Sequence, residues 1–265
     1  MCGIAGYSVR SRSHLERTLA AQALLAAIAE RGADAVGYAY RSPRESCAVV
    51  VKQRTPASEL LDRLSVPDGA NQLLVHVRDY TKGHPSIEAN NHPVRHGPVV
   101  GIHNGIILND DELLDCFSCA RAEPKMTVDS EAIFAVAAHS RSAPRSLEQL
   151  RGAMAAAWLD QRERGSVHVA RGSGRPLWLG EGREGVFFAS TQLALDIVEE
   201  YCDLTLRKTE VPEGTLLTLR DGSIARRERF RPDLEYVEHN PLPPIRAPHE
   251  REFCLTRLAA LAAVV

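Results

Sequence analysis

Met1-Cys2-Gly3-Ile4-Ala5-Gly6-Tyr7-Ser8-Val9 opens the chain, and its reading sets both the fold and the chemistry. Residues 3–9 read as a short strand, which places Cys2 at the edge of the core. Cysteine is small, so the initiator Met1 can be trimmed, leaving a free α-amine on the residue that carries the thiol. An α-amine titrates at about 7.7–8.0. Near neutral pH a useful fraction is therefore unprotonated and can take the thiol proton, directly or through one water. One residue would then supply nucleophile and base together, although a cysteine near the start, viewed alone, is more often an ordinary residue and the rest of the sequence has to decide.

Outward from this strand, Leu15 to Arg31 is rich in Ala and Leu at helical spacing, and Gly32 ends it. Strand-like segments follow in pairs, Ala35–Arg41 with Cys47–Lys52 and Leu73–Asp79 with Pro98–Leu108. A helix is expected over Val128–Ser140, with Thr127 and Asp129 as capping candidates. Further strands are expected at Ala155–Asp160, Ser166–Ala170, Pro176–Leu179, Val186–Ser190 and Thr215–Leu219, with a helix over Thr191–Tyr201. Strands adjacent in sequence outnumber strand–helix alternations, which favours antiparallel sheets with helices packed outside over a doubly wound parallel sheet. After about residue 222 the composition changes. Arg226–Pro248 is charged and proline-rich, like an extended arm, and Phe253–Val265 reads as a short apolar helix. A solitary helix of that size is marginal in water, so it docks either back on its own domain or on a partner. The expected division is a domain over 1–222 followed by an arm and short helix over 223–265.

With 265 residues the chain can bury a sizeable core, and its formal net charge of -2 gives no long-range pull toward nucleic acid or a membrane surface. Its apolar stretches are too short for a membrane span and its start lacks the features of a signal peptide. A cytoplasmic protein is expected, with its six cysteines as free thiols. Cys116-Phe117-Ser118-Cys119 could be half a zinc site or a redox pair. No second such pair exists and the segment follows Leu113-Leu114 on an apparent helix, so buried thiols are the preferred reading. No metal and no cofactor are expected.

The opening Met1-Cys2-Gly3-Ile4-Ala5-Gly6-Tyr7 resembles the start of the class II glutamine amidotransferases, which are N-terminal-nucleophile hydrolases. Further segments follow in that family's order. Arg31-Gly32-Ala33-Asp34-Ala35-Val36-Gly37 is similar to the Arg-Gly-Tyr-Asp-Ser-Ala-Gly run of glucosamine-6-phosphate synthases. His76-Val77-Arg78-Asp79-Tyr80-Thr81-Lys82-Gly83 resembles the His-x-Arg-x-x-Thr-x-Gly segment, with Asn90-Asn91-His92-Pro93 after it. His103-Asn104-Gly105-Ile106-Ile107 matches the His-Asn-Gly motif and Val128-Asp129-Ser130-Glu131 resembles Ser-Asp-Thr-Glu. Weaker echoes occur at Arg151-Gly152-Ala153 and Ala189–Leu195, so the resemblance spans roughly residues 2–220. It implies a four-layer α/β/β/α sandwich, an α+β fold with two mainly antiparallel sheets face to face.

The resemblance also implies roles that suit glutamine as substrate. Cys2 is the nucleophile. Arg78 offers a planar fork to the α-carboxylate, Asp129 an anion to the α-ammonium, and Asn104 (side-chain amide) with Gly105 (backbone N–H) the oxyanion donors. Thr81 and His92 complete the substrate-binding set. Taken singly, Arg78 is also readable as a surface strand residue, Asp129 as a helix cap and Asn104-Gly105 as a type I′ turn. Their occurrence together in this order favours the site. The sequence departs from glucosamine-6-phosphate synthases at Asp79, Tyr80 and Lys82, where that family has Trp, Ala and His, and carries one extra residue between Arg78 and His92. The loop covering bound glutamine is therefore expected to be shaped differently. The implied activity is hydrolysis of the glutamine amide to glutamate and ammonia, with ammonia passing to a separate synthase partner. The alternatives are a free-standing hydrolase of another γ-glutamyl amide and a non-catalytic glutamine-sensing or assembly subunit.

Overall fold

Alternation along the first strand separates two cores. All seven residues of β1 (Gly3–Val9) are buried, yet Ala5, Tyr7 and Val9 join a cluster with helices while Ile4 joins a cluster between two sheets. A strand buried on both faces is an inner layer. The computed structural model describes residues 1–42, 45–239 and 242–263. After β1 the chain forms α1 (Arg17–Ile28), β2 (Ala35–Arg41), β3 (Val49–Gln53), α2 (Ala57–Leu61), β4 (Gln72–Arg78), β5 (Val94–His96), β6 (Val99–Ile107), α3 (Asp110–Cys116) and α4 (Glu131–Ser140). It continues through β7 (Gly152–Asp160), β8 (Ser166–Arg171), β9 (Trp178–Glu181), β10 (Gly185–Ala189), α5 (Gln192–Cys202), β11 (Arg207–Glu210), β12 (Thr215–Arg220), β13 (Ser223–Arg229) and α6 (Pro248–Ala262).

The strands make a seven-stranded sheet in the order β11-β9-β10-β1-β4-β2-β3 and a six-stranded sheet in the order β13-β12-β8-β7-β6-β5. The pairing is antiparallel throughout both ladders. On β4 the alternation repeats that of β1, with Leu73, Val75 and Val77 facing helices and Leu74 facing the other sheet. From the six-stranded sheet, Val100, Ile102, Ala155, Ala157, Val169 and Leu217 meet Ile4, Leu74, Val186 and Phe188 in the central layer. Helix α1 and α5 cover the outer face of the seven-stranded sheet, and α4 covers the outer face of the six-stranded one through Ile133, Phe134 and Val136. The result is the four-layer α/β/β/α sandwich expected from the sequence. Among the described residues no helix is long and apolar enough to cross a membrane.

Several local expectations are corrected. Ser223–Arg229, read as the start of an extended arm, is a strand on the edge of the six-stranded sheet, paired with β12. Its three arginines stay in solvent and it carries little apolar pattern; besides the backbone ladder, Ile224 packs on the central layer and Arg229 donates to Thr215 Oγ1 (2.7 Å), and an edge strand of charged residues also blocks further pairing. The C-terminal helix begins at Pro248 rather than Phe253, because proline is accommodated in a first helical turn. Asn240, Pro241, Val264 and Val265, which belong to the arm and helix as read from sequence, lie outside the described residues. Helix α6 docks on its own domain, burying Cys254 and Leu258 in the α1 core. Ser58 donates to Glu250 through its backbone N–H (3.0 Å) and hydroxyl (3.1 Å), and Arg251 pairs with Glu30 at 2.7 Å. The Cys116 thiol, expected to be buried, is exposed at the end of α3, and Cys119 is half-buried in the turn beyond it. Asp129 is no cap either: α4 starts after Ser130 without a side-chain cap.

Candidate active site

Cys2 stands immediately before β1, and Arg78 ends β4, the strand paired with β1. The two are therefore set side by side at one end of the seven-stranded sheet. Asn104, Gly105 and Asp129 come from the facing layer, the first two in β6 and the third in the turn before α4. Cys2, Arg78, Thr81, His92, Gly105 and Asp129 line one narrow cleft, whose volume of about 10 Å³ has room for about one water. Asn104 is adjacent but lies behind the lining, 1% exposed. The turn reading of Asn104-Gly105 is excluded, since both sit inside a nine-residue strand.

The cleft desolvates the Cys2 thiol and pushes its pKa above the usual thiol value, partly offset by the Asp79 backbone and the Arg78 charge; the thiol itself donates to the Asp79 carbonyl (3.4 Å), a contact that favours its protonated form. A thiol so placed stays protonated at neutral pH and needs a base to act as a nucleophile. Arg31 holds the Cys2 carbonyl through Nε at 2.9 Å. The Met1 ammonium donates to the Asp79 carboxylate, which also receives Arg246 Nε at 3.3 Å.

Arg78 is 2% exposed, and its guanidinium donates to Asn91 Oδ1 (2.6 Å), the Lys82 carbonyl (2.9 Å) and the Gly83 carbonyl. All three acceptors are neutral. Burial lowers its pKa, and the nearby Cys2 and Asp129 partly restore it. A buried cation without a bonded anion is costly, and the residue is poised to gain from one. Asp129, 3% exposed, is the charge of opposite sign in the cleft. Its Oδ2 accepts from the Ile107 N–H at 2.7 Å, which locks α4 to β6. Desolvation nonetheless raises its pKa to about 6. An α-amino acid carries the complementary pair, a carboxylate for Arg78 and an ammonium for Asp129.

Gly105 has φ +148, and a Cβ there would lie 1.9 Å from the Ala153 carbonyl oxygen on β7. No side chain fits beside β7, so only glycine is accommodated at this point of the cleft lining. The Asn104 Nδ2 is buried with no acceptor among the described residues. A buried amide donor without a partner is unusual. His92, 3% exposed, stacks on His76 with ring centroids 4.2 Å apart, and burial holds its pKa well below the ordinary histidine value. It enters the cleft as a neutral ring.

Reading the sequence for site residues left out Tyr80, Lys82, His103 and Ser130, which also line the cleft. His103 accepts or donates at Ser130 Oγ (2.9 Å) and is held neutral by burial, with its pKa lowered to about 3. Both lie within the quoted motifs, so their proximity to the site was the available signal. Lys82 Nζ is held by Asp110 at 2.7 and 2.8 Å, a contact between segments far apart in sequence that no local pattern carries. The arm also crosses this end of the sandwich. Asp233 accepts from the Gly152 N–H (2.9 Å), Glu238 pairs with Arg175 (2.8 Å), and the Arg246 and Ala247 N–H groups donate to the Glu30 carbonyl (2.9 and 2.8 Å).

Residues 81–196 match the glutamine amidotransferase domain family. That match includes Thr81, His92, Asn104, Gly105 and Asp129 and stops short of Cys2 and Arg78. A glutamine–fructose-6-phosphate aminotransferase (isomerizing) of Vibrio parahaemolyticus is 31% identical over 253 residues, covering 91% of this chain and 39% of that protein. The enzyme of the same name from Escherichia coli O6:H1 is 35% identical over 134 residues, 46% of this chain and 21% of that one. The chain thus spans well under half the length of these relatives. Among solved structures, a glutamine phosphoribosylpyrophosphate amidotransferase from B. subtilis superposes with a TM-score of 0.65 at 18% identity, covering 86% of this chain and 49% of that one. An allosteric regulatory enzyme of purine biosynthesis gives 0.67 at 21% identity with the same coverage. Fold, domain match and a similarity that runs over 91% of this chain agree: the chain carries a class II, N-terminal-nucleophile glutamine amidotransferase domain.

Proposed function

We propose that this domain hydrolyses the side-chain amide of glutamine through a thioester on Cys2 and supplies the ammonia to a separate synthase. The observation that carries the reading is the convergence of Cys2, Arg78, Gly105 and Asp129 on one cleft. After removal of Met1, the neutral α-amine of Cys2 takes the Sγ proton as sulfur attacks the amide carbon. The resulting oxyanion is met by the Asn104 amide and the Gly105 N–H, donors fixed before the charge develops. The α-ammonium then returns its proton to the leaving nitrogen, ammonia departs, and a thioester remains. Water activated by the same amine cleaves it, releasing glutamate and the thiol. Arg78 binds the α-carboxylate and Asp129 the α-ammonium, with Thr81 and neutral His92 completing the pocket. Because the cleft holds about one water, the Tyr80–Gly83 segment swings aside to admit substrate and closes over it.

One observation favours a second reading. Tyr80 and Lys82 line the cleft where the family resemblance has Ala and His, which would suit a γ-glutamyl amide other than glutamine. Ammonia or amine release measured in parallel on glutamine, asparagine and γ-glutamyl amides separates the cases. Turnover of glutamine, abolished by Cys2→Ala, supports the proposal. Preference for a substituted amide supports the second reading, and no release from any substrate leaves a non-catalytic glutamine-binding domain.

A further inference from the structure

The segment over the cleft is tied down by one side chain. Between Tyr80 and Gly83, Lys82 is the one residue whose side chain makes a hydrogen bond among the described residues. Its Nζ donates to both oxygens of Asp110, at 2.7 and 2.8 Å, and reaches Asp111 Oδ2 at 3.5 Å. The Asp110 carboxylate is 1% exposed and the Lys82 side chain 37% exposed, so a buried anion at the start of α3 holds a cation on a surface segment. Burial opposes the lysine charge, but the bonds to Asp110 outweigh it and raise its pKa. Lys82 also meets the substrate-facing arginine, since its backbone carbonyl accepts from Arg78 Nη2 at 2.9 Å. The residue thus joins the guanidinium assigned to the α-carboxylate to the junction of β6 and α3, at a position where glucosamine-6-phosphate synthases have His.

Both ends of the segment are anchored through its backbone. The Tyr80 N–H donates to Asp34 Oδ2 at 2.9 Å. At the other end Gly83, with φ +79, packs so closely that a Cβ would lie 2.9 Å from Asn90 Cγ and 3.0 Å from Val128 N. Between these anchors only the Lys82 bond has to break for the segment to lift. Breaking a buried pair is expensive because it leaves a charge uncompensated. Here Asp110 keeps a cation when Lys82 leaves, because Arg121 Nη2 donates to Asp110 Oδ2 at 2.9 Å and to Asp111 Oδ1 at 2.6 Å. Arg121 is itself fixed by the Val128 carbonyl (2.9 Å) and Glu131 Oε2 (3.2 Å). The Lys82 contact is therefore stronger than an exposed ion pair and easier to open than a fully buried one. Besides burial, both charges act on the Asp129 carboxyl, Asp110 raising its pKa and Lys82 lowering it, so the pair closes beside the residue assigned to the α-ammonium.

We propose that Lys82 is a positioning residue for glutamine: clasped by Asp110, it holds the Tyr80–Gly83 segment over the bound substrate and sets the carbonyl that steadies Arg78, without touching the reacting atoms. The proposal rests on the glutaminase reading above, and its test includes a readout that does not. Lys82→Met, Asp110→Asn and the double variant are compared with Lys82→Arg, which keeps a cation for Asp110. Asparagine keeps an oxygen for Arg121, and thermal melting checks that each chain is folded. With glutamine, Lys82→Met and Asp110→Asn should each raise the Michaelis constant about tenfold with kcat within about twofold of the parent, a size between those of exposed and buried pairs. The double variant should be no worse than either single one, because both remove the same contact, and Lys82→Arg should stay close to the parent. Independently of turnover, alkylation of Cys2 by iodoacetamide, followed by peptide mapping, should run several-fold faster in both single variants, because the closed cleft has room for about one water. If the parent releases no ammonia from glutamine, the glutaminase reading fails, and faster Cys2 alkylation in both variants still supports the clasp. Unchanged Cys2 alkylation, an unchanged Michaelis constant in an active parent, additive losses in the double variant, or an effect of Lys82→Met that Asp110→Asn does not reproduce would overturn it.

Discussion

Replacing Asp129 by asparagine should strengthen the fold and weaken the site at once. The wild-type carboxyl rises from 3.8 to about 6 through burial. Two pKa units correspond to roughly 3 kcal/mol, which the ionised Asp129 costs the folded chain at pH 7. The sign follows from linkage: a carboxyl whose folded pKa lies above its unfolded one favours the fold at low pH and disfavours it progressively as pH rises from about 4 to about 6. Asparagine keeps an oxygen for the Ile107 N–H, held at 2.7 Å in the parent, and removes the charge. Its advantage should be absent near pH 4 and complete above pH 6, at roughly 2–4 °C of melting temperature per kcal/mol gained. The same substitution leaves the substrate ammonium without an anion, a loss of about 3–5 kcal/mol for one side of a buried pair, and the Michaelis constant for glutamine should rise by roughly 10²-fold or more. In the parent that constant should climb as pH falls below about 6. Melting scans from pH 4 to 8 with steady-state ammonia release would test both halves. A variant less stable than the parent at pH 7, or one that binds glutamine normally, refutes the reasoning.

Other substitutions divide binding from chemistry. Asn104→Ala should lower kcat by about 10²–10³-fold with little change in the Michaelis constant; a change confined to the Michaelis constant removes the oxyanion assignment. Arg78→Lys retains charge and loses the fork, so it should raise the Michaelis constant more than it lowers kcat, as steady-state kinetics on glutamine would show. Leu258→Ala, on the docked face of α6, should destabilise the chain by about 2–5 kcal/mol in denaturant unfolding, whereas an arm helix that rides loosely would tolerate it.

The parts of the fold that the sequence announces are those whose signal is local. Strands β1 and β4 are read as strands from the sequence, though only the structure shows Leu73, Val75 and Val77 parting from Leu74, and Ala/Leu spacing marks α1. Strand β13 escapes because its arginines mask a strand whose one core contact is Ile224. The place of α6 escapes because docking depends on the complementary groove at α1 and α2, which no single segment encodes. At the site, the motifs bring Cys2, Arg78, Gly105 and Asp129 into one cleft, while the Lys82–Asp110 clasp and the arm's contacts at Arg175, Asp79 and Glu30 join residues far apart in sequence. Asp129 is instructive: its position before a helix reads as a cap, and only the facing strand shows that its partner is Ile107.

The central claim is that the Cys2 thiol, activated by its own α-amine, carries the acyl group. The most direct measurement is intact mass and peptide mapping of active protein after exposure to a glutamine analogue with an electrophilic group in place of the amide. The account predicts a chain lacking Met1, a single adduct on Cys2 and loss of ammonia release in step with labelling. Full activity in a chain that retains Met1, or an adduct on a cysteine other than Cys2, would contradict it.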